Sequence, residues 1–132
     1  MAKEIVLTVM GALVKGDSLL VQNRTKTDWP GLTLSGGKVE DKESIKEAMK
    51  REFLEETGLE VKDWHFENYI EWNIKGQRHL CLLFKAFEFK GTLIQATSEG
   101  ANLWLKIKEI KDAGNFSDDF DKILDLLKID WR

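Results

Sequence analysis

Between Gly36 and Leu59 the chain passes from a double glycine into a helical repeat that carries three glutamates on one side. Ile45, Ala48, Met49 and Phe53 recur at helical spacing, and Gly58 supplies a C-terminal stop after Thr57, so a helix is predicted from about Ser44 to Thr57. Glu52 and Glu56 are i and i+4 on that helix, and Glu52 and Glu55 are i and i+3, which gathers three carboxylates on neighbouring positions. Like charges held so close repel one another. The opposite, apolar side needs a second layer to cover it.

Strand signals surround this helix. Residues 4–14 and 18–23 are rich in Ile, Val and Leu and flank Lys15-Gly16-Asp17, which reads as a hairpin. Residues 62–75 and 78–89, separated by Gly76-Gln77, and a short stretch from Asn102 to Ile107 read as further strands. Ser117-Asp118-Asp119, followed by Phe120, Ile123, Leu124 and Leu127, has the signature of a capped amphipathic helix. The expected fold is α/β: two main helices on a mixed central sheet, in one domain spanning residues 1–132.

Charge and composition narrow the function. The formal net charge of -3 gives no general basic field, so a nucleic-acid polymer is not expected as a partner, whereas an acidic protein can still take a small polyphosphate through divalent cations. Cys81 is the sole cysteine and lies in the apolar run HLCLLF, where a buried structural thiol is expected. No signal-peptide pattern or apolar run of membrane-spanning length occurs, which points to a cytoplasmic chain without a membrane partner, as monomer or homodimer.

The carboxylate cluster admits two readings, a solvated acidic face or a site for a hard divalent cation such as Mg2+, which demands concentrated oxygen ligands. The Gly-Gly loop favours the second. It lets the Gly36 carbonyl approach a metal and lets the backbone approach a phosphate with no side chain between. Arg51, next to Glu52, is placed to orient a carboxylate through a bidentate pair, with Glu43 as a partner.

The stretch from Gly37 to Leu59 reads glycine, five residues, glutamate, seven residues, then Arg-Glu-apolar-x-Glu-Glu-x-Gly-apolar. It resembles the Nudix box at every defined position, and the order of strands around it is similar to a Nudix domain, an α/β/α sandwich. The resemblance implies that Glu52, Glu55 and Glu56, with the Gly36 carbonyl, hold Mg2+ or Mn2+. It further implies that Glu55 and Arg51 belong to the catalytic machinery and that water attacks phosphorus in a nucleotide phosphoanhydride. Ser35 stands where many relatives have proline, a change expected to alter loop stiffness rather than chemistry.

The family takes its general base either from the box or from a loop glutamate, and Glu99 in Thr97-Ser98-Glu99-Gly100 is placed like the loop glutamate of MutT-type members; the other reading is an ordinary loop carboxylate. Gln22-Asn23-Arg24, Asp28-Trp29-Pro30-Gly31 and the segment from Ser98 to Trp104 resemble bacterial members described as 8-oxo-dGTP diphosphatases. Asp118 and Asp119, after Phe116, resemble an aromatic-x-Asp-Asp segment that contacts the base in a member acting on oxidised purine nucleotides. They also suit a helix N-terminus. Arg24 and Arg78 are open to phosphate contacts or to ordinary surface pairs. Trp29, Trp64, Trp72 and Trp104 are open to base stacking or to core packing, and His65 and His79 read as structural or surface residues.

The expected activity is hydrolysis of a nucleoside triphosphate to monophosphate and pyrophosphate. ADP-ribose or nucleotide-sugar hydrolysis is the alternative within the family, and a catalytically silent nucleotide sensor the alternative outside enzymes.

Overall fold

The computed structural model describes residues 4–132. The chain opens with the expected hairpin, β1 (Ile5–Lys15) and β2 (Ser18–Arg24), and continues through two short strands, β3 (Gly31–Thr33) and β4 (Ser35–Lys38). Helix α1 (Ile45–Thr57) follows, then β5 (Leu59–Lys62), β6 (His65–Ile74), β7 (Gln77–Ala86), β8 (Glu88–Gly91), β9 (Ala96–Thr97) and β10 (Gly100–Lys106). Two helices, α2 (Ile110–Ala113) and α3 (Phe120–Leu126), close the chain. Among the described residues no helix is long and apolar enough to cross a membrane.

The main sheet runs β6-β7-β1-β2-β10-β9, with β4 beside β1 and β3 beside β2. It is mixed, because β1 pairs β7 in parallel while β1 with β2, β2 with β10 and β6 with β7 are antiparallel. Strand alternation sends β1 side chains into two cores. Val9 and Leu13 join Ala48, Met49 and Phe53 of α1 on one face. Met10 and Ala12 join Phe120, Ile123, Leu124 and Leu127 on the other. The result is the expected sandwich with a helix layer on each side. Gly11 permits the close fit on the α1 side, since a Cβ there would stand 2.6 Å from the Met49 methyl and from the Trp64 ring.

Helix α1 has the ends its sequence suggests. Ser44 Oγ accepts from Glu47 N–H and the Glu47 carboxylate accepts from Ser44 N–H, a reciprocal cap, while Gly58 takes the left-handed conformation and donates to the Leu54 carbonyl. Two expectations are corrected. The predicted strands 62–75 and 78–89 are broken, by a left-handed Asp63 and at Phe87, because β5 and β8 pair separately as a small second sheet. The final helix lacks the expected side-chain cap: Asp119 sits in the left-handed region at φ 67° and its carboxylate turns elsewhere.

Candidate active site

The site lies where β1 diverges from β2, so that β4 and β3 each cover part of the gap. Thr8, Met10, Gln22, Arg24, Trp29, Gly36, Gly37, Glu56 and Trp72 line the cleft there. Val39 N–H donates to the Leu7 carbonyl, and ladder alternation then makes Gly37 and Val9 a bonded pair and Gly36 and Met10 a non-bonded one. The Gly36 carbonyl is therefore not used by β1. A Cβ on Gly36 would collide with the Val9 carbonyl, and one on Gly37 would collide with the Glu52 carboxylate. Glycine at both positions lets β4 lie against β1 and brings α1 down over β4.

Of the three helix glutamates, Glu56 is the most enclosed. Its Oε2 accepts from Gln22 Nε2 at 2.8 Å. Burial, with repulsion from Glu52 and Glu99, pushes its pKa up to about 7 against the pull of Gln22 and Arg24. Burial also raises Glu52, whose Oε1 accepts from Arg51 at 2.9 Å. Glu55 is exposed, 3.6 Å from Arg51. Arg51 grips Glu43 as expected, Nε to Oε2 at 2.6 Å and a terminal nitrogen to Oε1 at 2.9 Å, and it also donates to the Lys38 carbonyl. The hydrogen bonding between Arg51 and Glu43 lowers the Glu43 pKa to about 2 and raises that of Arg51.

Helical spacing thus puts Glu52, Glu55 and Glu56 side by side, but their carboxylates answer to different partners. Arg51 takes Glu52 and Glu55 while Gln22 takes Glu56, and among the described residues no three acidic, histidine or cysteine groups converge as a metal cage. The donor set still suits a hard divalent cation. Two half-buried carboxylates lie by the Gly36-Gly37 backbone, whose Gly36 carbonyl β1 does not use, and a cation would offset the burial and the repulsion that raise the Glu56 pKa.

Glu99 is close enough for its charge to act on Glu56, yet both its oxygens are engaged, by Arg24 at 2.7 Å and Lys26 at 2.9 Å. These pairs, Lys26 foremost, lower its pKa. Arg24 is accordingly tied to Glu99 and to Asp28. Arg78 lies apart from the cleft and pairs with Glu71 on the surface.

Asp118 and Asp119 meet the aromatic groups. The Asp118 carbonyl accepts from Trp29 Nε1 and the Asp119 carboxylate from Trp72 Nε1, each at 2.8 Å. The two indoles stand edge to face with centroids 4.7 Å apart. With Asp28, Ile74 and His79 they enclose a second cavity of about 480 Å3, in the size range of small-molecule sites, and Trp29 and Trp72 line both cavities. Trp64 and Trp104 instead pack against the α1 core, and Cys81 is buried with its pKa pushed up to about 11. Sequence reasoning missed Gln22 and Asn102 as site residues; their signal was a polar side chain in a strand otherwise facing a core.

Oxygen donors beside the paired glycines of β4, opening onto an aromatic cavity, form a site of the class that handles small phosphorylated ligands. A profile of the NUDIX domain matches residues 6–127, and the chain belongs to that family. It is 31% identical over 106 residues to the CTP pyrophosphohydrolase of Escherichia coli strain K12, covering 78% of each chain. It is 33% identical over 93 residues to the mouse oxidized purine nucleoside triphosphate hydrolase, covering 69% of this chain but only 57% of the mouse protein. Among solved structures, the MutT protein of Bacillus halodurans superposes with a TM-score of 0.76 at 27% identity, over 89% of this chain and 79% of that one.

Proposed function

We propose that residues 1–132 act as one catalytic domain that hydrolyses a nucleoside triphosphate to the monophosphate and pyrophosphate with Mg2+, Mn2+ substituting. The observation that carries this reading is the placement of Glu56: a half-buried carboxylate with its pKa near 7, beside Glu52 and the Gly36-Gly37 backbone, inside the cleft. Glu52, Glu55, Glu56 and the Gly36 carbonyl would hold the ion. Once bound, it supplies the positive charge that offsets the polyphosphate and eases ionisation of the attacking water.

Arg51 restrains Glu52 and Glu55. Arg24 binds a phosphate, and since it also holds Glu99, a phosphate competing for its guanidinium frees a Glu99 oxygen to take the proton from water. Water then bonds to one phosphorus of the α–β anhydride as that phosphorus releases the bridging oxygen to the other, giving monophosphate and pyrophosphate. The cavity that Trp29 and Trp72 line together receives the base, with Asp118 and Asp119 reading its edge. Two relatives named for triphosphate substrates, one an oxidised purine and one CTP, support a triphosphate over a nucleoside diphosphate derivative.

The test is product-resolved hydrolysis of normal and oxidised dNTPs, CTP, ADP-ribose and nucleotide sugars with Mg2+. Monophosphate and pyrophosphate from a triphosphate are expected. Turnover confined to ADP-ribose or nucleotide sugars overturns the substrate assignment, and nucleotide binding without turnover overturns the catalytic one.

A further inference from the structure

Strand β2 presents Leu19, Leu20 and Val21 to the cores and then buries an amide, Gln22, at 1% exposure. Directly across the ladder, β10 buries a second amide, Asn102, at 4% exposure. Burying two amides is costly unless each is bonded, and an aliphatic side chain in either strand position avoids that cost. Both amides converge on one residue. Gln22 Nε2 donates to Glu56 Oε2 at 2.8 Å, and Asn102 Nδ2 donates to the Glu56 carbonyl at 2.7 Å and to the Ile94 carbonyl at 2.9 Å.

We propose that Gln22 and Asn102 are positioning residues, a two-point clamp that aims the Glu56 carboxylate into the cleft. Glu56 lies in the last turn of α1, where carbonyls lack helical partners and the end can fray. Asn102 pins that turn to the sheet through the main chain. Gln22 fixes the side chain by occupying Oε2, and no hydrogen bond among the described residues takes Oε1, which is left for a cation. The two contacts leave Glu56 little rotational freedom. The clamp rests on the reading of Glu56 as a metal ligand, and groups that orient ligands typically change metal affinity by about 10- to 100-fold when removed.

The experiment is Mn2+ titration followed by electron paramagnetic resonance, carried to millimolar concentration, on the wild type, Gln22→Met, Glu56→Gln and the double variant. Gln22→Met keeps length and removes the donor; Gln22→Leu serves as the second variant, and thermal melting confirms that each is folded. The expected result is a loss of Mn2+ affinity of about 10-fold or more for Gln22→Met in the wild-type background, with less than about a 2-fold effect when Glu56→Gln is already present. Equal losses in both backgrounds mean that Gln22 does not act through Glu56 and overturn the clamp. So does unchanged affinity in Gln22→Met while Glu56→Gln weakens binding. Unchanged affinity in Glu56→Gln overturns the ligand reading itself, and the clamp with it.

Discussion

Glu56→Gln should make the metal-free protein more stable at alkaline pH, although it removes a charged group from the candidate active site. Burial raises the folded-state pKa of Glu56 from 4.5 to about 7, so its contribution is fully present below pH 4.5 and is lost as pH rises through about 7. At about 1.4 kcal/mol per pH unit the full difference is about 3 kcal/mol. Solvent reaches part of this carboxylate and screens it, which reduces the figure to about 1 to 2 kcal/mol. Glutamine keeps the shape and leaves an oxygen to accept from Gln22, so the variant lacks the penalty without losing the hydrogen bond. For a domain of this size the gain is a rise in Tm of roughly 3 to 8 °C at pH 8.5, shrinking to nothing near pH 4.5. Thermal melts in EDTA across that range measure it, and subtracting the two curves removes the titrating groups that do not interact with Glu56. A variant less stable than wild type at pH 8.5, or a gap that does not change with pH, refutes the reasoning.

Glu55 is exposed and its removal should cost little stability, yet Glu55→Gln should reduce turnover at least about 100-fold; a melting curve and a rate settle both halves. The Glu43 carboxyl, lowered to about 2 by Arg51, contributes stability that is present above pH 4.5 and lost as pH falls towards 2, so Glu43→Gln should melt lower at pH 7 and show a flatter acid limb. Gly37→Ala pushes only on the flexible end of Glu52, whereas Gly36→Ala meets the β1 backbone; circular dichroism should find the first folded with impaired turnover and the second destabilised. Trp72→Phe removes the hydrogen bond to Asp119, and KM for the preferred triphosphate should rise more than kcat falls.

What the sequence made legible was chiefly local. Both ends of α1 are signalled within a few residues of themselves, by Ser44 with Glu47 and by Gly58, and the apolar repeat of the helix names the face that meets the sheet. The first hairpin is likewise announced by Gly16 in a tight turn. Arg51 with Glu43 was legible because one helix and its entry loop bring them together. The break at Asp63 was not, since a left-handed aspartate between two strand-like runs leaves no trace in their hydropathy.

The site's remaining geometry depends on contacts between distant segments, where spacing along the chain has no authority. Gln22 meets Glu56 across 34 residues, Trp72 meets Asp119 across 47, and Arg24 meets Glu99 across 75. Helical periodicity brings the backbones of Glu52, Glu55 and Glu56 together but says nothing of where their carboxylates turn, and that is decided by the cations and amides that reach them. Asp119 shows the same limit from the other side. A residue with good capping chemistry sits in a left-handed position, and its carboxylate accepts instead from the indole of Trp72, brought there by β6. The helix therefore begins without a side-chain cap, and the carboxylate that could have supplied one instead fixes a wall of the aromatic cavity.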